Sequence, residues 1–417
     1  MKSIIIDGGK ELNGQINISG AKNSAVALVP AAILADDEVT ICNLPEISDI
    51  DSLESILKFL NVKVSRATET MVIDPKEMKN IEIPESIATK LRASYYFMGA
   101  LLAKYHYVEM YFPGGCNIGA RPINLHLEGF KKLGATVEEL DNKYILRADK
   151  LVGTKIYLDI ASVGATINLM MAATKAEGVT TIENAAREPE IINIATFLNS
   201  LGAKITGAGT NVIKITGVEK LGGGFAEVIP DRIEAGTYVV IGALLGNELK
   251  INNIIPSHLE ALTTKLKEAG ANIEIGPDYI LCKKNGKLKA TNVRTYYFPG
   301  FATDLQQPFS SFLTQCEGTS VIEETIYENR FMHVPYLNSM GANITTEGRK
   351  AFIKGKTDLT GSVVKATDLR GGASLVIAGL LAKGKTVVED AEHILRGYEG
   401  IVTKLSDVGA DIEITDN

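Results

Sequence analysis

Leu133-Gly134-Ala135, Leu201-Gly202-Ala203, Ala269-Gly270-Ala271, Met340-Gly341-Ala342 and Val408-Gly409-Ala410 are five copies of one signal, an apolar residue followed by Gly-Ala. Their glycines fall 68, 68, 71 and 68 residues apart. Leu60-Asn61-Val62, centred 73 residues before Gly134, reads as a degenerate sixth copy. Six units of about 70 residues therefore account for almost the whole chain of 417 residues. Each unit reads in the same order. An apolar segment of helical length comes first, as at Ser94 to Ala103, Ala165 to Lys175, Thr237 to Leu245 and Ser374 to Ala382. A short strand follows, as at Thr180 to Ile182, Leu249 to Ile251 and Thr386 to Val388. Next comes an amphipathic helix that stops at the Gly, the residue type suited to the left-handed position after a helix. An alternating strand such as Ala271-Asn272-Ile273-Glu274-Ile275 completes the unit.

An apolar helix paired with an amphipathic one implies an interior helix and a second helix that covers it. Sixfold repetition also fits a solenoid, but solenoid repeats usually run roughly 20–50 residues. Longer units suit small modules grouped around shared cores, and the expected class is α/β. The Gly-rich stretch Leu221-Gly222-Gly223-Gly224 lies between the third and fourth units and marks a boundary between two three-unit domains.

Composition narrows the function classes. Lys plus Arg number 43 against 50 Asp plus Glu, a net charge of −7, so nucleic acid would need a local basic site. With 45% hydrophobic and 22% charged residues the chain reads as globular. No apolar run reaches the roughly 18 residues of a membrane span. Met1-Lys2-Ser3-Ile4-Ile5-Ile6-Asp7 lacks the apolar core of a signal peptide. Cys42, Cys116, Cys282 and Cys316 lie far apart, without zinc spacing. The expectation is a cytoplasmic protein with reduced thiols and no membrane or nucleic-acid partner.

Several apolar helices begin with a cation, although a helix N-terminus favours an anion. Lys22-Asn23-Ser24, Arg92-Ala93-Ser94, Arg232 and Arg370-Gly371-Gly372 all do so, while Arg121-Pro122 and Arg396-Gly397-Tyr398 lie in turns at unit junctions. Recurrence at equivalent places suggests that the free amides and the cations jointly hold an anion. Ser162-Val163-Gly164-Ala165-Thr166 opens the third helix without a cation and reads equally as a diphosphate cradle or a plain cap. Phosphate-loop and dinucleotide fingerprints are absent, as is any His-x-x-x-His helix, so a metal-free enzyme is the default.

Two polar stretches stand out. Cys116 sits in Tyr111-Phe112-Pro113-Gly114-Gly115-Cys116-Asn117-Ile118-Gly119-Ala120-Arg121-Pro122, where a glycyl loop and a nearby Arg favour some thiolate character. A buried, inert thiol remains open there, and is the reading for the other three cysteines. Asp304 opens the fifth apolar helix, where a carboxylate is a good cap, or a base if it faces cations.

Taken together, these motifs resemble the enolpyruvyl transferases, in the branch that acts on UDP-N-acetylglucosamine. Matching stretches run along the whole chain: Ser19-Gly20-Ala21-Lys22-Asn23, Arg92-Ala93-Ser94, the Cys116 loop, Ser162 to Thr166 and Glu183 to Glu190. They continue through Pro230 to Thr237, Pro299 to Asp304, Asp368-Leu369-Arg370 and Arg396-Gly397-Tyr398. Asn124 stands where the family often has Asp.

The resemblance implies an inside-out α/β barrel of two domains, each of three repeated units around buried helices, with the active site in a cleft. Domain boundaries would be 22–229 for the first, and 1–21 with 230–417 for the second. The implied reaction moves the enolpyruvyl group of phosphoenolpyruvate to the 3-hydroxyl of UDP-N-acetylglucosamine and releases phosphate, the first committed step of peptidoglycan synthesis. It proceeds through a tetrahedral ketal, needs no cofactor, and is blocked in the family by the epoxide fosfomycin. Cys116 is the implied acid, Asp304 the base, and Lys22, Arg396 and Asn23 complete the catalytic set. The implied substrate contacts add Arg92, Arg121, Pro122, Ile123, Asn124, Leu125, Ser162, Val163, Gly164, Ile326, Arg330, Asp368 and Arg370. A monomer or weak homo-oligomer is expected. The alternatives are the branch that takes shikimate 3-phosphate and a non-catalytic relative that binds the nucleotide sugar.

Overall fold

A helix that is buried all round must be covered on every side, and there are six such helices among the described residues. The computed structural model describes residues 2–112, 123–284 and 286–416. The chain divides into two compact units, one drawn from residues 20–229 and the other from residues 2–19 with 230–416.

In the first unit, interior and covering helices alternate as α1 (Lys22–Ala31), α2 (Ser48–Phe59), α3 (Tyr96–Tyr105), α4 (Asn124–Lys132), α5 (Val163–Ala173) and α6 (Pro189–Ser200). Interior α3 packs on both α1 and α5. Every residue of α5 after Val163 is buried, whereas α2 buries only one face. Gly99 lets α3 and α5 approach closely: a Cβ there would sit 2.4 Å from the Asn168 carbonyl oxygen. In the second unit the order repeats as α7 (Arg232–Leu245), α8 (Glu260–Glu268), α9 (Gln306–Leu313), α10 (Val334–Ser339), α11 (Leu369–Leu381) and α12 (Ile401–Ser406). There α7, α9 and α11 pack against one another.

Three small sheets surround the helices in each unit. Lys155–Tyr157, Val179–Glu183, Val212–Thr216 and Lys204–Thr206 show the pattern. One edge strand pairs in parallel and the remaining neighbours pair antiparallel. The sheet of Tyr107–Tyr111, Lys143–Arg147 and Thr136–Glu139 has three strands, with a lone parallel bridge from Ile83 to Met110 at the place of the fourth. Lys2–Asp7 completes the sixth sheet between Lys385–Glu389 and Asp411–Asp416, and Leu12–Asn17 is the parallel edge beside Gly246–Asn252. The N-terminal segment thus supplies strands to the unit formed by the C-terminal half.

All six units end their covering helix in the same way. Gly134, Gly202, Gly270, Gly341 and Gly409 have φ of 103°, 105°, 91°, 104° and 105°. Asn61, the degenerate copy, has φ 62°. Each donates its N–H to the carbonyl three residues back, and the next residue donates to the carbonyl five back, as in Gly202 to Asn199 and Ala203 to Leu198, both 3.0 Å. These are Schellman caps, which satisfy carbonyls the helix leaves open. A second device recurs at Asn43, Asn184 and Asn253, with φ of 57°, 53° and 57°. Their side-chain amides donate over 2.7 Å to the carbonyls of Val228, Leu158 and Ile18, just past the parallel edge strands.

Two of the cap glycines give a graded test. A Cβ at Gly202 meets nothing within 4 Å, whereas one at Gly341 lies 2.9 Å from the Asp358 carbonyl oxygen. Gly202→Ala should cost about 1–2 kcal/mol from the left-handed conformation alone. Gly341→Ala should cost more, because the clash adds to the strain. Denaturant unfolding of both variants checks the order, and equal losses would contradict it.

Candidate active site

Within each unit, several polar candidates lie at the N-terminal turns of the interior helices, while Arg330 and Arg396 come from loops. In the second unit Asp304 lies within a 3-10 turn, Thr303–Leu305, that leads into α9. Arg330 grips its Oδ1 with two donors, Nη2 at 2.8 Å and Nη1 at 3.1 Å. Arg370 Nε approaches Oδ2 at 3.4 Å. The side chains of Arg330 and Arg370 are only 4% and 3% exposed, against 24% for Asp304, so two sequestered cations hold a carboxylate that still reaches solvent. Asp304 is therefore a partner of arginines; the N-cap positions here belong to Ala302 and Leu305. Arg330 Nε and Arg370 Nη1 are buried without a hydrogen-bond acceptor among the described residues.

Arg370 also lies 5.1 Å above the Tyr398 ring, and the buried Tyr398 hydroxyl meets Thr237 Oγ1 at 2.9 Å. Tyr398 follows the turn that carries the half-buried Arg396, which closes the short helix Glu392–Leu395. Ile326 is half-buried in the loop before Arg330, its N–H bound to Glu324 Oε1 at 2.8 Å.

Sequence reasoning expected free amides beside the cations, and two helices differ. Asp231 Oδ1 accepts from the N–H groups of Ile233 and Glu234 at 2.8 and 2.9 Å, capping α7. Asp368 Oδ1 does the same for Arg370 and Gly371 at 3.0 Å, capping α11. A carboxylate one residue outside the helix satisfies those donors and the positive end of the dipole at once, leaving the Arg side chains to act on their own.

In the first unit Lys22 is the first residue of α1, and its ammonium meets Asp49 Oδ2 at 2.7 Å in a nearly buried pair. Asn23 follows, half-buried. Arg92 begins the 3-10 turn before α3 and lies 6.0 Å from the Tyr95 ring centroid. Ser162 caps α5, accepting from the Ala165 N–H at 3.2 Å, with Val163 and Gly164 in its first turn. Tyr95 and His126 form the wall at Gly164, where a Cβ would come within 2.8 Å of the Tyr95 hydroxyl. Asn168 ties this group together, donating to the Tyr95 carbonyl at 2.9 Å and meeting His126 Nδ1 at 3.0 Å. Ile123 is buried at the N-cap of α4, Asn124 is exposed and Leu125 half-buried. Cys116, Arg121 and Pro122 lie outside the described residues.

Residues 6–405 match the family described as EPSP synthase (3-phosphoshikimate 1-carboxyvinyltransferase). The chain belongs to the EPSP synthase family. Among curated EPSP synthase-family relatives it is similar to the UDP-N-acetylglucosamine 1-carboxyvinyltransferase 2 of Bacillus cereus, 52% identical over 99% of this chain and 96% of the relative. The protein of that name from Geobacillus kaustophilus is 53% identical, with the same coverage of each. Among solved structures, the enolpyruvyl transferase NikO from Streptomyces tendae superposes with a TM-score of 0.91 at 26% identity, covering 99% of each chain. EPSP synthase from Acinetobacter baumannii gives 0.76 at 18% identity over 100% of each, a likeness of fold. The inside-out α/β barrel is the fold of this EPSP synthase-family chain, and it is an enzyme.

Some partners of the candidate residues in this EPSP synthase-family chain become evident only in the folded structure. Asp49 sits on a covering helix, Gln307 and His333 read as ordinary core residues, and Tyr398 reads only as part of the Arg396-Gly397-Tyr398 turn. Glu234 and Lys404 are another such pair. Glu234 Oε2 accepts from the Ser19 N–H at 2.9 Å, and Lys404 Nζ lies 2.6 Å from both Glu234 Oε1 and Ser19 Oγ. Their 170-residue separation hides the pair.

Buried titratable groups set a pH dependence. Burial, with a smaller push from Arg92, holds the His126 imidazole down at about 3. Burial likewise lowers His333 to about 4, with Asp368 pulling up and Arg330 adding to the push. Burial raises Glu234 to about 7 against the pull of the Lys404 ammonium. Between pH 6.5 and about 4 the unfolded histidines bind protons that the folded ones refuse, so these two groups lose stability as pH falls. Glu234 has the opposite sign between its unfolded value and 7, and offsets one of the two. Stability should therefore fall on acidification from pH 6.5 to 5, and His126→Gln should flatten the slope by up to roughly 1.4 kcal/mol per pH unit. Urea unfolding at several pH values measures both slopes; parallel slopes would contradict the assignment.

Proposed function

We propose that the protein transfers the enolpyruvyl group of phosphoenolpyruvate to the 3-hydroxyl of UDP-N-acetylglucosamine and releases phosphate, acting in the cytoplasm on the first committed step of peptidoglycan synthesis. The observation that carries the chemistry is the Asp304 carboxylate held by two buried arginines, of which Arg330 Nε and Arg370 Nη1 have no hydrogen-bond acceptor among the described residues. Unpaired buried donors are costly, and an anionic substrate group relieves that cost. The choice of acceptor rests on the relatives named UDP-N-acetylglucosamine 1-carboxyvinyltransferase, which match nearly end to end at 52–53% identity. That likeness favours this acceptor over shikimate 3-phosphate.

In this reading Asp304 takes the proton of the sugar 3-hydroxyl as its oxygen attacks C2 of phosphoenolpyruvate. Cys116 delivers a proton to the C3 methylene, giving a tetrahedral ketal that carries both phosphate and sugar. Loss of a proton from the new methyl group then expels phosphate and leaves the enolpyruvyl ether. Lys22, Arg121 and Arg396 bind the phosphate and carboxylate, the electrostatic work that dominates such steps. Asn23 binds the sugar and the ketal. Arg92, Pro122, Ile123, Asn124, Leu125, Ser162, Val163, Gly164 and Ile326 contact the nucleotide sugar, and Arg330, Asp368 and Arg370 sustain the charge network. Fosfomycin, a small anionic epoxide, alkylates Cys116.

Two measurements test this. With both substrates, mass spectrometry should find the nucleotide sugar heavier by one enolpyruvyl group; an unchanged nucleotide mass would overturn the reading. Asp304→Asn keeps an oxygen for Arg330 but removes the base, so kcat should fall on the order of 10²–10⁴. Near-normal kcat in the folded variant would remove Asp304 from the mechanism.

A further inference from the structure

We propose that Gln307 is a positioning residue that fixes the Arg330–Asp304 fork and so sets the direction of the Asp304 carboxylate. The inference rests on Asp304 serving as the base in the reading above. Gln307 is fully buried on the first turn of α9, three residues beyond Asp304. With its amide oriented so that both atoms find partners, Nε2 donates to the Thr303 carbonyl at 3.2 Å and Oε1 accepts from Arg330 Nη1 at 3.2 Å. The same Nη1 is one of the two donors to Asp304 Oδ1. One amide thus spans the backbone just before Asp304 and the guanidinium that grips it.

The Gln307 backbone is also tied into its helix turn. Ser310 Oγ donates to the Gln307 backbone carbonyl at 2.6 Å, which uses the only hydroxyl proton. His333 Nε2, 2.8 Å from that hydroxyl, must therefore be the donor there. The histidine stays neutral because it is buried, so this arrangement persists across ordinary pH. The bonds run in one direction, from His333 to Ser310 to Gln307, while Arg330 donates to both Gln307 and Asp304. A buried amide costs free energy unless it is bonded, and an apolar side chain of this volume would pack here without that cost. Guanidinium rotation is the freedom the amide removes, because Arg330 has Thr303, Asp304 and Gln307 as its acceptors on that face. The charged and titratable groups around the fork are Asp304, Arg330 and Arg370, with His333 and Asp368 behind them.

Gln307→Met and Gln307→Glu test this in the full-length protein. Met matches the volume and removes both bonds; kcat should fall about 10- to 100-fold, as misplacement of a base does, with the nucleotide-sugar KM within about twofold. Glu adds a second carboxylate to Arg330, and like charge beside Asp304 should move the acidic limb of kcat/KM to higher pH. A role in packing alone predicts kcat falling only in step with melting temperature and an unmoved pH profile, which would overturn the proposal. A crystal structure of Gln307→Met supplies a readout independent of activity. Arg330 turned out of the Asp304 fork supports the proposal, and an intact fork overturns it. If the wild-type protein itself failed to turn over, the reaction assigned above would fall, while the crystal structure would still decide whether Gln307 holds the fork.

Discussion

The requirement that six interior helices be covered on all sides governs everything else among the described residues. A helix such as α11, buried from Arg370 to Leu380, has no solvent face to offer, so sheets and amphipathic helices must lie outside it. That inversion leaves the ends of the interior helices as the places where backbone polarity must be met. Lys22, Arg92, Ser162, Asp231, Asp304 and Asp368 all stand at or just before those N-terminal ends. Packing and chemistry are thus linked through one constraint.

The same constraint explains why the charges at the helix ends are so heavily cross-linked. A guanidinium as buried as Arg330 or Arg370 is costly in a low-dielectric interior, and a single partner seldom repays the desolvation. Here Asp304 answers both cations, Tyr398 lies beneath Arg370, and an amide braces Arg330. Asp231 and Asp368 meanwhile occupy the helix amides, so those amides are not open to a further acceptor.

The repeat was legible in the sequence because its punctuation is conformational. Gly in the left-handed cap position has few substitutes, so the Gly-Ala step recurs even where the residues around it differ, and Asn61 fits as the residue that best tolerates the same φ. Asn43, Asn184 and Asn253 form a second device, found in three of the repeats, which the sequence does not announce because an asparagine in a loop has many ordinary explanations. Lys22, Asp304 and Arg370 stood out as charges at the start of apolar runs. Gln307 and His333 did not, since their importance lies in partners brought together only by folding. The expectation of free amides failed at α7 and α11 for a local reason: an Asp one or two residues ahead of an Arg caps the helix before any ligand can.

The account stands on the identity of the acceptor, and phosphate release measures it directly. Purified protein supplied with phosphoenolpyruvate should release phosphate when UDP-N-acetylglucosamine is added, at a rate that saturates with the nucleotide sugar, and should remain silent with shikimate 3-phosphate. Release with shikimate 3-phosphate and none with UDP-N-acetylglucosamine would contradict it.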